Sequence, residues 1–149
     1  TYGIAAIESV NSEVSDFKIQ KAGREDYYKY LNIVPEIYKN YWFAAVFSHI
    51  LTQKARKMLG KKSFDFVKLG RWMNEHQVIL QDRICNTPLS MQKQMNAAIK
   101  AGALGTKIIG SGGGGCMVAM VSENSKQKVI QAFLNNGAKD AYEINLTSG

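Results

Sequence analysis

Cysteine, proline and histidine are scarce in this sequence, and each scarcity excludes something. Its two cysteines, Cys85 and Cys116, are too few and too isolated for a disulfide framework or a zinc site. A reducing, cytoplasmic setting is therefore the expectation, and no metal site is expected. Pro35 and Pro88 are the only prolines, which leaves long stretches free to be helical. No run approaches the ~18 to 20 apolar residues of a membrane span. The best stretch, 41–51, is short and carries Ser48 and His49. No basic segment precedes an apolar core at the start, so neither a secretory signal nor a membrane partner is expected. The chain opens on Thr1 without an initiator methionine, and the reading expects a start inside a longer protein or at a processed junction.

What is present reads as one ordinary globular domain over residues 1–149, with 46% hydrophobic and 21% charged residues. The net charge of +7 raises nucleic acid as a partner. The basic residues are spread, however, from Lys18, Lys21, Arg24 and Lys29 to Lys54, Arg56, Lys57, Lys61 and Lys62, with acidic residues between. The densest group falls at a helix end, where cations suit the dipole. No recognition signature for nucleic acid accompanies them, so a solvated face is the preferred reading.

Apolar spacing predicts a short helix over 26–33 and a long one over 37–58, with Pro35 in its first turn and Gly60 as its stop. Ser63 is read as the cap of the next helix, and Thr87 as the cap of a third with Pro88 at its first position. Residues 107–109 and 117–121 read as strands flanking a glycine loop, residues 125–134 as a helix, and 141–146 as a final strand. The apolar segment 3–10 is the candidate fourth strand. The expected fold class is α+β, an antiparallel ferredoxin-like sheet covered by helices.

Six of the thirteen glycines lie between Gly105 and Gly115. Four in a row between strands are costly in backbone entropy, so something requires them. Glycine admits positive φ, lets a ligand approach bare backbone, and allows successive amides to form an anion-binding nest. The loop is not a Walker loop, because no Lys-Ser or Lys-Thr follows it. Nor does it run from a strand into a helix, as a dinucleotide fingerprint must. Taken alone, a tight hairpin and a phosphate-facing loop fit it equally well.

The run from Ala101-Gly102-Ala103-Leu104-Gly105 through Gly110-Ser111-Gly112-Gly113-Gly114-Gly115-Cys116 resembles the third signature of the GHMP kinases. The likeness extends back through Leu69-Gly70-Arg71-Trp72-Met73-Asn74-Glu75-His76-Gln77 and the Thr87-Pro88 helix start, over roughly residues 63–122. Within the family, galactokinase-like sugar kinases share the Met73–Gln77 stretch and the loop. Mevalonate kinases, the second choice, share the Ala101–Gly105 lead-in.

The resemblance implies the C-terminal domain of an ATP- and Mg2+-dependent kinase of a small metabolite, a sugar first. Its partner would be an N-terminal kinase domain, on the same or a separate polypeptide. Gly110, Ser111, Gly112, Gly113, Gly114 and Gly115 would support the phosphate loop or face substrate, and Lys107, Asn74 and His76 are further candidates.

The family's Pro-rich Gly-Leu-Gly-Ser-Ser loop and its catalytic aspartate are not in this sequence. No catalytic residue is therefore expected here, nor tight binding of ATP or Mg2+ by this chain alone. Asp65 and Asp82 fall outside any family motif, and Ile109 stands where most members carry a polar residue. Homodimerisation through an exposed domain interface, or a non-catalytic binding module on the same fold, are the other readings. His49, Trp42, Trp72, Met91 and Met95 read as packing residues, and Cys116 as a small packed hydrophobe.

Overall fold

Ala6, Val10 and Val14 recur every fourth residue, a spacing that suits one face of a helix. In the computed structural model, which describes residues 2–15, 17–63, 65–110 and 113–145, Tyr2–Asn11 is a helix, α1, and not the expected strand. Ala6 and Val10 are fully buried on one face of it, and Ile7 and Val14 pack beside them. A period of four, not two, matches that burial.

The chain divides into two compact units, Thr1–Asp65 with Val78–Cys85, and Phe66–Gln77 with Asn86–Gly149. The first is helical among its described residues. It holds α1, a 3-10 turn at Ile19–Lys21, α2 (Arg24–Tyr30), a second 3-10 turn at Glu36–Tyr38 and α3 (Lys39–Leu59). The helix expected from Ile37 opens as the 3-10 turn and becomes α-helical from Lys39, and Pro35, extended at ψ 145, precedes it instead of lying in its first turn. Trp42, fully buried in α3, organises this core. Its indole N–H donates to the Tyr27 carbonyl at 3.2 Å, and Phe17 packs on it with centroids 5.4 Å apart.

The second unit is α+β, the expected class, with a smaller sheet than expected. Strands β1 (Gly105–Ile108) and β2 (Met117–Met120) pair antiparallel, with Lys107 opposite Val118 and Ile108 opposite Met117. Residues 141–145 form no strand, and Leu146 lies outside the described residues. Lys126 instead holds that segment through Glu143 at 3.0 Å. Helices α5 (Leu89–Lys100) and α6 (Lys126–Asn135) pack on each other, and α5 packs on both strands. Ala98, Ala103, Val129 and Phe133 form the buried centre.

Helix α4 (Phe66–Ile79) begins beyond Ser63, so that residue is not its cap. It passes into a π-helical turn, Leu80–Ile84, that ends on Cys85 at φ 56. Pro88, not Thr87, precedes α5 as its cap residue at ψ 147. The Thr87 hydroxyl is engaged elsewhere, as described below. No helix among the described residues is long and apolar enough to cross a membrane.

Backbone meets backbone where α4 crosses β1. A Cβ on Gly70 would stand 2.6 Å from the Leu104 carbonyl oxygen, and one on Gly105 would overlap the Gly70 carbonyl. Neither neighbour is a flexible side chain, so neither can yield cheaply. Gly70→Ala and Gly105→Ala are each expected to cost roughly 3 kcal/mol in a denaturant titration. Gly60→Ala, whose added carbon meets nothing nearer than 3.6 Å, should stay within about 0.5 kcal/mol.

Candidate functional site

The glycine loop leaves β1 after Ile108 and returns at Met117. At its feet the Ile109 N–H donates to the Cys116 carbonyl at 2.9 Å. Gly110, Gly113 and Gly114 have φ of 80, 78 and 114, where an L side chain is strained by ~1 to 2 kcal/mol. A Cβ at Gly110, Gly113, Gly114 or Gly115 would meet nothing within 4 Å. Crowding within the chain therefore does not account for these glycines. Their conformation does, and it presents bare main chain to open space. Ser111 and Gly112 lie outside the described residues. Cys116 is exposed, not packed, because only its main chain is used at the loop's foot.

What holds the loop is unusual for a strand end. The Leu104 N–H donates to the Met120 carbonyl of β2 at 2.8 Å, but the Leu104 carbonyl and the Thr106 and Ile108 N–H groups are met by amide side chains of α4. Asn74 donates from Nδ2 to the Leu104 carbonyl at 3.3 Å, and its Oδ1 accepts the Thr106 N–H at 2.9 Å. Three residues on, Gln77 accepts the Ile108 N–H at 2.9 Å through Oε1. Its Nε2 donates to the Thr87 hydroxyl at 2.9 Å. One residue before Thr87, the Asn86 carbonyl accepts the Gly113 N–H at 2.8 Å. Both the root of the loop at Ile108 and its middle at Gly113 are thus tied to the segment that precedes α5.

Among the sequence candidates, Asn74 is committed to β1, while Glu75 beside it is exposed. Lys107 and His76 lie close enough for the lysine charge to act on the imidazole. Burial first, and the Lys107 ammonium second, hold His76 below its ordinary value of 6.5. Burial also lowers Lys107, whose Nζ donates to the Ile108 carbonyl at 2.7 Å. Half-buried and without an acidic partner among the described residues, it is a cation at the root of the loop. Gln77 and Thr87, both buried, are the residues that motif reading did not single out. Gln77 follows Asn74 by three on one helix face, which is the signal that could have found it.

Removing the Gln77 side chain leaves the buried Ile108 N–H without a partner, and leaves the Thr87 hydroxyl only its long 3.5 Å bond to the Asn86 side-chain oxygen. Gln77→Ala is expected to lose roughly 2 to 4 kcal/mol of stability. Amide exchange at Ile108 should accelerate more than at Thr106, which keeps Asn74. In an NMR titration His76 should reach its midpoint below 6.5, and Lys107→Met should raise that midpoint without restoring it fully, since burial remains. Because the folded-state value is depressed, the unfolded chain takes up the proton first. Stability is expected to fall as pH drops from about 6.5 through the folded-state value.

A family model described as "GHMP kinases C terminal" matches residues 56–139. Among curated relatives, mevalonate kinase of Thermococcus onnurineus is 44% identical over 72 residues, which is 48% of this chain and 21% of that protein. Mevalonate kinase of Thermococcus gammatolerans is 32% identical over 98 residues, 64% of this chain and 29% of that one. The matches thus span between a fifth and a third of those relatives' length. Among solved structures, Lactococcus lactis galactokinase complexed with galactose superposes with a TM-score of 0.76 over 90% of this chain and 36% of that one, at 21% identity. That likeness establishes the fold. With more than half of its residues matched by the family model, the chain belongs to the GHMP kinases, through their C-terminal region.

Proposed function

We propose that this chain is the substrate-side part of an ATP-dependent kinase that phosphorylates a hydroxyl of a small metabolite. Its nucleotide-binding half would be an N-terminal kinase domain, and the intact enzyme would work in the cytoplasm. The observation that carries the reading is the exposed main chain of the glycine loop, left-handed at three described glycines and anchored at its root and middle. Phosphoryl transfer asks a protein for positioning and electrostatics more than for covalent chemistry. A loop of this kind meets that need by bringing main-chain donors against a phosphoryl or substrate oxygen with no side chain between. Lys107 adds a cation at its root.

Mg2+, when bound in such an enzyme, neutralises developing charge on the phosphates. Among the described residues no group of three or more His, Cys, Asp or Glu could hold a metal ion. Mevalonate is the first substrate to test, supported by likeness to mevalonate kinases over as much as 98 residues. Galactose is the second, supported by the Met73–Gln77 stretch and the Gly110–Cys116 loop.

The test is an ADP-release assay with MgATP and mevalonate, galactose or homoserine. The 149-residue chain should be silent on all three, and a full-length protein containing it should turn over one. In the full-length protein, Gly114→Val should lower kcat about 100-fold or more, because a misplaced reacting group is costly, while the melting temperature falls only by the few degrees that the strain of a side chain at φ 114 accounts for. Turnover by the chain alone, or an unchanged kcat in the variant, would overturn the proposal.

A further inference from the structure

Three of the lysines that the sequence places on a solvated basic face are gathered in the first unit around a single concavity of about 330 Å3. Its apolar wall is built from Val14, Phe17, Ala22 and Tyr30, and its polar part from Lys18, Lys21, Lys29 and Asp26. The wall is well supported, because Phe17 meets Tyr30 edge-on at 5.4 Å and both pack in the Trp42 core. The size and the mix of an apolar floor with a few polar groups are those of small-molecule sites.

The charges do not cancel. Asp26 is turned toward the start of its own helix, where its carboxylate accepts the Gly23 N–H at 2.7 Å. Lys29 lies over the Tyr30 ring with its Nζ 4.9 Å from the centroid. Lys18 and Lys21, both exposed, form no ion pair among the described residues. Among the described lining residues, three lysines stand against one aspartate, a balance of +2. Like charges around a concavity repel one another and focus a positive potential into it, and an entering anion relieves that repulsion.

We propose that this cavity binds a small organic anion, with an aromatic or aliphatic body against Phe17 and Tyr30 and a phosphate or carboxylate head among Lys18, Lys21 and Lys29. The lining residues all belong to the first unit and none is in the glycine loop, so the proposal does not rest on the kinase reading.

Calorimetric titration of the 149-residue chain with 1-naphthyl phosphate, 1-naphthoate and neutral 1-naphthol tests it. At least one of the two anions should bind saturably with one site, about tenfold or more tighter than naphthol, and more weakly as salt is added. Which of the two is tighter identifies the head group. Lys18→Gln with Lys21→Gln should weaken the anion about tenfold at an unchanged melting temperature. The control pair Lys61→Gln with Lys62→Gln, exposed lysines outside the cavity, should leave it unchanged. The idea is overturned if neither anion saturates, if naphthol binds as well as they do, or if the control pair weakens binding as much as the cavity pair.

Discussion

The second unit depends on a strand whose outer edge is satisfied by a helix. A buried main-chain N–H or carbonyl without a partner costs about as much as a lost hydrogen bond. Along β1 that cost would recur at every second residue. A neighbouring strand would normally remove it, but here Asn74 and Gln77 do so with their side-chain amides. Three residues of helix advance ~4.5 Å and two residues of strand ~6.8 Å, so the amides must reach to match the repeat. They can reach only if the helix lies against the strand. Gly70 and Gly105, with no Cβ between them, allow that approach. The two glycines and the two amides are therefore one device.

The glycine loop inherits its placement from this device. Ile108 is the last residue of β1 and the last held by α4, so the loop starts from a fixed point. Its conformation beyond that point is set by left-handed turns and by the Gly113 bond to Asn86. Rigidity at the root and bare backbone beyond it suit a surface that has to be placed accurately yet make room for a partner.

Elements whose character is local were legible in the sequence. The long helix of the first unit, the two strands and α6 follow from apolar period and turn residues, and the loop declared itself by composition. The misreadings share a cause. Residues 3–10 carry enough isoleucine and valine to suggest a strand, and only packing against the rest of the first unit shows that Ala6 and Val10 share one face. Residues 141–145 look like a strand by composition but are held through Glu143 and Lys126. Thr87 resembles a helix cap because threonine before proline so often is one, yet its hydroxyl accepts from Gln77. Polar side chains such as Gln77 have no local signature for burial. Their role appears only when a strand thirty residues away presents the matching edge. The loop glycines, Lys107 and Asn74 could be nominated from sequence, whereas the pairing of Asn74 and Gln77 with the edge of β1 could not.

The helix-edged strand also limits what this sheet can become. An unpaired strand edge is a template on which another chain can add, the usual starting point for edge-to-edge aggregation and swapped dimers. On the α4 side of β1 that template is already occupied by side chains, which offer no continuing ladder to a newcomer. Nor can β1 slide by one residue, since a slip would turn Ile108, fully buried, to the opposite face and part both amides from their partners. The same four residues that bring the helix close thus close one side of the sheet to growth and hold β1 in a single register.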